Sequence, residues 1–321
     1  GGRMRQQQGI AIVSVLVVVA IIAGIASSVM LDQQLLIRRA ENQLHGNQAI
    51  LHLVSLETYA KEVLIQDHED NPDEDTQEEA WAIPLLPVET DGGVVSGYLE
   101  DLQARFNLNA VVDKTGKPVE AARQQFECLV NRATSGELDA SSLASALVDW
   151  LDGDQNAGQG GAEDLDYLGL DPAYRTASRP MASATELRLV QGTSAEGWKL
   201  LAPFITALPG SEVPINVNTA SAEVLSCLDD EIDFSLAQQI VDERKEGTYY
   251  SSWQSFLGKI KLAYPPEAEV TQEELRVGFA SSYFQLNSFS SFGDISLSMR
   301  QLINRNEREA RTLMREFDGA E

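Results

Sequence analysis

A chain of 321 residues that is 43% hydrophobic and 23% charged holds enough apolar side chains for one large or two modest cores, which excludes disorder as its ground state. Its 49 acidic against 24 basic residues give a net charge of −25, so nucleic acid and anionic lipid surfaces are repelled and cations, divalent metals among them, are favoured. Two cysteines, Cys128 and Cys227, are too few for a disulfide-stapled miniprotein and lack zinc spacing, which leaves either one bridge or two buried thiols.

From Ile10 to Leu31 runs an uncharged segment, IAIVSVLVVVAIIAGIASSVML, whose 22 residues would span about 33 Å as a helix, enough to cross a bilayer. Arg3 and Arg5 before it and Asp32 after it point the N-terminus toward the cytoplasm, although Arg38 and Arg39 reduce the asymmetry. The segment also fits a cleavable secretory signal, with Gly24 and Ala26 as a small-x-small site that would leave Ser27 at the new terminus. Helical continuity argues against that cleavage. The first proline is Pro72, and Leu35, Leu36, Ala40, Leu44, Leu51, Leu53, Leu56, Ala60 and Val63 recur at mostly helical spacing. One helix is therefore predicted over about 10–65, apolar all round at first and striped later, as when a helix leaves lipid and lays one face on a domain. The acid-rich run Asp67–Glu79 is predicted to end it as a solvated loop.

Next comes alternation. Leu102, Ala104, Phe106, Leu108, Ala110 and Val112 share one parity and Gln103, Arg105, Asn107 and Asn109 the other, which predicts a strand with 94–99 as its hairpin partner. At the far end Ile295, Leu297, Met299 and Ile303 alternate after the turn residues Gly293 and Asp294, and 283–289 precedes them as another strand. The stretch 308–317 fits strand or helix. Between these blocks, over 118–278, the pattern is helical and punctuated by caps. Ser183 with Glu186 and Thr271 with Glu274 have capping-box spacing, and Asp139 and Thr219 are placed to start helices. A helical domain thus interrupts a small sheet, entering and leaving at adjacent loop tips.

Catalytic signatures such as Gly-x-Ser-x-Gly, a Walker loop, His-Glu-x-x-His or a dinucleotide fingerprint are absent from the sequence, and an enzyme is not expected. The three histidines, His45, His52 and His68, lie on or just past the long helix, and His45 and His52 are two turns apart, too far to share a zinc ion. The sharpest constellation is Asp152-Gly-Asp154-Gln-Asn156, followed by Gly158, Gly160, Gly161 and Glu163. With Asp152 counted first, Asp154, Asn156 and Glu163 fall at the third, fifth and twelfth positions, the oxygen-ligand spacing of an EF-hand calcium loop. Ala157 stands where that loop requires glycine, no second helix is evident after Glu163, and Asp164 and Asp166 add further carboxylates. The residues fit a divalent site with EF-hand-like sequence and a different loop geometry; a solvated acidic loop is the alternative. A second constellation, Ile215-Asn-Val-Asn218-Thr219-Ala-Ser-Ala-Glu-Val224-Leu225 with Ala237, Ile240 and Val241, looks like the start of a helix-hairpin-helix module. In nucleic-acid-binding versions a glycine-containing hairpin offers backbone N–H groups to a phosphate. Here the connector is Asp229-Asp230-Glu231-Ile232-Asp233, whose carboxylates argue against that role.

The order of several pieces carries a resemblance: a short basic leader ending in Gly9, which a start at Met4 would make tidy; Gly97-Tyr-Leu-Glu-Asp-Leu-Gln-Ala-Arg-Phe-Asn-Leu-Asn109; Asp149-Trp-Leu-Asp152 with Gly161-Ala-Glu-Asp164 and Tyr167; Glu186-Leu-Arg-Leu-Val-Gln-Gly192; and Ile215-Asn-Val-Asn-Thr-Ala220. Over nearly its whole length the chain resembles the K-type minor pseudopilins of type II secretion systems. The resemblance implies an α+β, pilin-like fold: a long N-terminal helix packed on a small antiparallel sheet, with a large all-α domain inserted between strands. It divides the chain into a prepilin leader (1–9), the transmembrane part of the helix (10–31), the rest of the helix and the first part of the sheet (32–117), the inserted helical domain (118–278) and C-terminal strands (279–321).

It also implies cutting after Gly9 by a prepilin peptidase, which leaves Ile10 as the methylated N-terminus of a single-pass inner-membrane protein with its C-terminal domain in the periplasm. Its place would be the pseudopilus tip, with I- and J-type minor pseudopilins above the major pseudopilin, where it promotes assembly and the export of folded proteins. Calcium in the inserted domain is implied as well, which supports the Asp152–Asp166 loop without assigning each ligand. Ordinary pilins carry a glutamate at the fifth mature position, where its carboxylate pairs with a neighbour's N-terminal amine inside the bilayer. Counted from Ile10 that position is Ser14, so this chain has no carboxylate there that needs a partner ahead of it. The alternative is a signal-peptide-bearing or membrane-anchored periplasmic binding protein with a helix-hairpin-helix-like domain.

Overall fold

The computed structural model describes residues 3–318, with side chains over 12–317. With no proline before Pro72, the first 68 described residues form a single helix, α1 (Arg3–Asp70), about 100 Å long. Its apolar stretch from Ile12 to Leu31 stands exposed over its whole circumference. One face becomes buried only from Ala49 onward, where Ala49, Leu53, Leu56, Ala60 and Leu64 recur every three or four residues. The expected stripe is thus correct at Leu53, Leu56 and Ala60, whereas Leu35, Leu36, Leu44 and Leu51 face outward. The helix also runs past Ile65 into the acidic run.

That run is not a solvated loop: Asp67 and Asp75 are buried. The chain then turns through Ala80–Ala82 into strands β1 (Leu85–Thr90) and β2 (Gly93–Asp101), a tight hairpin. The segment after β2 is not the expected long strand. Residues 102–111 form short 3-10 turns around a two-residue strand, β3 (Phe106–Asn107). Alternation misleads here because both parities are buried, the polar one through side chains that bond main chain far along the sequence. Asn107 Nδ2 donates to Gly210 O at 2.8 Å, and Asn109 Nδ2 donates to Met181 O and Leu208 O, each at 3.0 Å. Gln103 Nε2 donates to Pro214 O at 3.0 Å, while its Oε1 accepts from Ser282 N at 2.6 Å. Amide side chains, each able to donate and accept, replace a ladder.

The helical part comprises α2 (Glu120–Thr134), α3 (Ala140–Leu151), α4 (Asp164–Leu168), α5 (Ala195–Leu201), α6 (Ala222–Leu225), α7 (Phe234–Arg244), α8 (Trp253–Ile260) and α9 (Gln272–Leu275). Two short parallel ladders stitch it together, β3 with β4 (Ile205–Thr206) and β5 (Ile215–Asn216) with β6 (Val277–Gly278). Asp139 caps α3 by accepting from Ser142 N at 3.1 Å, and Thr271 with Glu274 closes a capping box on α9. Ser183 with Glu186 makes the same box on a 3-10 turn. Thr219 does not start α6; Ser221 does, through Val224 N, while Thr219 Oγ1 donates to the buried Asp101. Cys128 of α2 and Cys227 just after α6 are bonded to each other, with Cα atoms 5.5 Å apart, so the bridge lies wholly within this helical part.

Strands β7 (Tyr283–Phe292), β8 (Ile295–Arg305) and β9 (Ala310–Asp318) complete a five-stranded antiparallel sheet of order β1-β2-β7-β8-β9. The open choice at 308–317 resolves as strand. Since β2 and β7 are neighbours, with Asp101 opposite Phe284 and Gly93 opposite Phe292, everything from 102 to 282 is an insertion between two paired strands. It begins earlier than 118, because Phe106, Leu108, Ala110, Val111 and Val112 already belong to the helical core.

A separate core joins α1 to the sheet, built from Leu56, Ala60, Leu64, Trp81, Phe284, Leu286 and Ile303. Gly97 is what lets β2 approach: a Cβ there would press on Leu56 and on Asn287 O. Glu57 adds a polar tie, accepting from Thr312 Oγ1 at 2.6 Å and Arg315 Nε at 2.7 Å on β9 and from Lys61 Nζ at 2.7 Å. Burial would raise its pKa, but the bonds from Arg315, Lys61 and Thr312 outweigh that and hold it at about 2.

Candidate functional site

Asp152 caps α3, and the chain beyond it folds back on that helix's last turn. Asp152 Oδ1 accepts from Asp154 N at 3.3 Å and Asp154 Oδ1 from Asn156 N at 2.8 Å, the turn chemistry expected of short carboxylates. Gly158 N donates to both oxygens of Asp149 at 3.1 Å, and Gly161 lies so near the same carboxylate that a Cβ would collide with it. The glycines therefore serve close approach to Asp149, which carries the loop from inside. Sequence reasoning uses Asp149 only as part of a motif and misses this role; its position three residues before Asp152, on the last helical turn, is the available signal.

Of the expected ligands, Asp152, Asp154 and Glu163 come together, each offering an oxygen within 4.8 Å of the others. Glu163 is buried, and neither Oε1 nor Oε2 accepts a hydrogen bond. Burial pushes its pKa up to about 7, reinforced by Asp149, Asp152 and Asp154, and burial with Asp154 and Asp149 pushes Asp152 up to about 6. Asn156 bonds Asp154 through N and Nδ2. Asp164 and Asp166 have other duties. Asp164 accepts from Thr176 N, Thr176 Oγ1 and Arg175 Nη1, while Asp166 Oδ2 accepts from Glu163 N at 2.9 Å. Three converging carboxylates, one of them buried without a donor, form an all-oxygen set that suits a hard divalent cation.

A second acidic group lies where the insertion meets the pilin-like part. Arg305, at the end of β8 and 2% exposed, donates to Leu64 O at 3.1 Å, Asp67 Oδ2 at 3.2 Å, Asp75 Oδ2 at 2.5 Å and Ser281 O at 2.7 Å. Burial, with Glu79 and Asp75 close by, pushes Asp67 up to about 7 despite Arg305, and burial likewise raises Glu79. This locates the insertion on the helix. Phe292, at the closed end of the β7–β8 hairpin, lies tilted against His45 and His52 with ring centroids 5.3 and 5.8 Å away, whereas the opposite end of β7, where the insertion ends, pairs with the end of β8 whose Arg305 bonds Leu64 O and Asp67. The insertion therefore sits at the end of α1 farthest from the exposed apolar segment.

The helix-hairpin-helix-like stretch packs α6 against α7. Asp233 caps α7 through Leu236 N at 2.8 Å, and the buried Arg244 donates to Asn218 O at 3.1 Å and Ala220 O at 2.7 Å, which locks the hairpin. Ser14 lies on α1 in the exposed apolar stretch. Gly9 and Ile10 belong to the helical backbone but fall outside the residues whose side chains are described.

Two models described as type II secretion system (T2SS), protein K match residues 104–210 and 215–275, both of which lie within the insertion. The type II secretion system protein K of Pseudomonas aeruginosa is 38% identical over 299 residues, covering 90% of this chain and 86% of its own. That of Aeromonas hydrophila is 29% identical over 332 residues, covering 98% of each. This chain belongs to the type II secretion system protein K family. It is a minor pseudopilin of type II secretion. The crystal structure of the GspK-GspI-GspJ complex from enterotoxigenic Escherichia coli contains a chain that superposes with a TM-score of 0.73 at 27% identity, covering 88% of this chain and 100% of that one. The K-type architecture, a pilin-like helix and sheet carrying a large helical insertion, is the one found here, and the exposed apolar part of α1 fits a single membrane anchor.

Proposed function

We propose that this K-type pseudopilin occupies the tip of a periplasmic pseudopilus and starts its assembly, anchored beforehand in the inner membrane by the first part of α1. The observation that carries this reading is the place of the insertion. Residues 102–282 leave the sheet between β2 and β7 at the end of α1 opposite its apolar segment. In a filament of parallel helices that end faces the outer membrane, so the inserted bulk obstructs any subunit above while the flank of α1 below stays open. Leu35, Leu36, Leu44, Leu51 and Tyr59 are exposed along that flank and need cover from neighbouring pilin helices, the I- and J-type minor pseudopilins first and the major pseudopilin below. Ser14 in place of a membrane carboxylate agrees, since a first subunit has no amine ahead of it to pair. Removal of a leader after Gly9 by a prepilin peptidase, with methylation of Ile10, completes this account.

Calcium is proposed for the loop, held by Asp152, Asp154 and Glu163 beside Asp149. Bound there, it would neutralise carboxylates whose mutual repulsion otherwise loosens the connection between α3 and α4. Crosslinking tests the tip assignment. Cysteines introduced at Leu36 and Leu51 should join pilin neighbours on the membrane-proximal side alone; pilin crosslinks on both sides would contradict it.

A further inference from the structure

The acidic run at the end of α1 holds more negative charge than its arginine balances. Asp67, Asp75 and Glu79 each offer a carboxylate oxygen, and these oxygens lie within 4.8 Å of one another. Asp67 is 6% and Asp75 0% exposed. Each carboxylate is fixed through one oxygen. Arg305 Nη1 donates to Asp67 Oδ2 at 3.2 Å, while Arg305 Nη2 and Ser281 N donate to Asp75 Oδ2 at 2.5 and 2.6 Å. Thr76 N and Trp81 Nε1 donate to Glu79 Oε2 at 2.7 and 3.0 Å. Asp75 Oδ1, fully buried, accepts nothing. A buried carboxylate oxygen without a donor has lost its water and gained nothing in return, so its survival calls for an occupant.

We propose that this junction is a second cation site, at which a hard divalent ion is held by one oxygen each from Asp67, Asp75 and Glu79. Three carboxylates against one guanidinium leave two negative charges, which a divalent ion cancels. Arg305, Ser281 N, Thr76 N and Trp81 Nε1 act as the outer shell that orients ligands through their opposite oxygens. An all-oxygen set selects calcium or magnesium over softer metals. The site is independent of the Asp152 loop and does a different job. Asp75 is also bound by the insertion, through Asn216 Nδ2 to its carbonyl oxygen at 3.0 Å and through its N–H to Phe279 O at 2.9 Å. The ion therefore joins the end of α1, the sheet at Arg305 and the inserted domain, and sets how the insertion sits on the helix.

The test uses the full chain in detergent with the first site disabled by Asp152→Asn and Glu163→Gln. Equilibrium dialysis against calcium, and separately magnesium, should still find one bound equivalent. Adding Glu79→Gln, which keeps an acceptor for Trp81, should weaken binding at least tenfold. Terbium in place of calcium should luminesce on tryptophan excitation, and Trp81→Phe should abolish that emission while one equivalent stays bound. A folded double variant that binds neither calcium nor magnesium overturns the proposal and leaves a proton shared by Asp67 and Asp75 as the occupant. Unchanged affinity in Glu79→Gln, or terbium emission that survives Trp81→Phe, overturns it equally.

Discussion

Two acidic stretches of similar composition meet different fates in this molecule. The stretch around Asp152 gathers its carboxylates from neighbouring positions, with Asp149 on the last turn of α3, Asp152 capping that helix, and Asp154 and Glu163 in the loop beyond. The run at 67–79 is drawn inside by an arginine from the opposite end of the chain, with Arg305 bonded to Asp67 and Asp75. Oxygens clustered by neighbouring positions thus mark a site that sequence can suggest, whereas carboxylates gathered around an arginine from the far end of the chain are not revealed by sequence spacing.

The comparison breaks most visibly at Arg305. Arg305→Leu strands Asp67 and Asp75 in the interior, and the loss of one partner from such a buried pair costs about 3–5 kcal/mol. Urea unfolding of the part that follows the apolar segment should show that loss, and a change below about 1 kcal/mol would mean that the two aspartates are solvated after all. At the other acidic stretch the expected effect is smaller. Calcium at about one hundred times its Kd should stabilise the insertion by about 2.7 kcal/mol, read as a rise in its unfolding temperature, and chelation should reverse it. Asp152→Asn should remove the share of the calcium response that belongs to this loop, read as one bound equivalent fewer, and leave the calcium-free midpoint nearly unchanged; a stoichiometry equal to that of the native protein would put the ion elsewhere. The third effect lies at Glu57 and is read as a pH dependence. Its pKa of about 2 lies below the ordinary 4.5, so its contribution is present above pH 4.5 and is lost as pH falls toward 2. Glu57→Gln should therefore flatten the acid limb of the pH–stability curve, and an unchanged limb would assign acid sensitivity to other groups.

Much of the architecture was legible because it rests on local physics. An uncharged helix long enough for a bilayer, a later face at helical spacing, and caps at Asp139 and Thr271 each follow from neighbours in sequence. Asp152, Asp154 and Glu163 were legible for the same reason. The rest depends on distant partners. Asn107, Asn109 and Gln103 mimic the outward parity of a strand, yet their amides bond main chain about 70 to 180 residues away. Thr219 has the composition of a cap, yet it is taken by Asp101, more than one hundred residues earlier. Asp164 and Asp166 match a ligand pattern as well, and the structure adds what that pattern does not show: Asp164 accepts from Arg175 and Thr176 later in the chain, and Asp166 accepts from Glu163 N.

The central claim is that the insertion, raised on the end of α1 opposite the membrane segment, makes this subunit the first of its filament. The direct measurement is to attach a gold label to the inserted domain of otherwise native protein and image pseudopili sheared from cells. The account predicts a single label at one end of each filament. Labels distributed along the sides would contradict it.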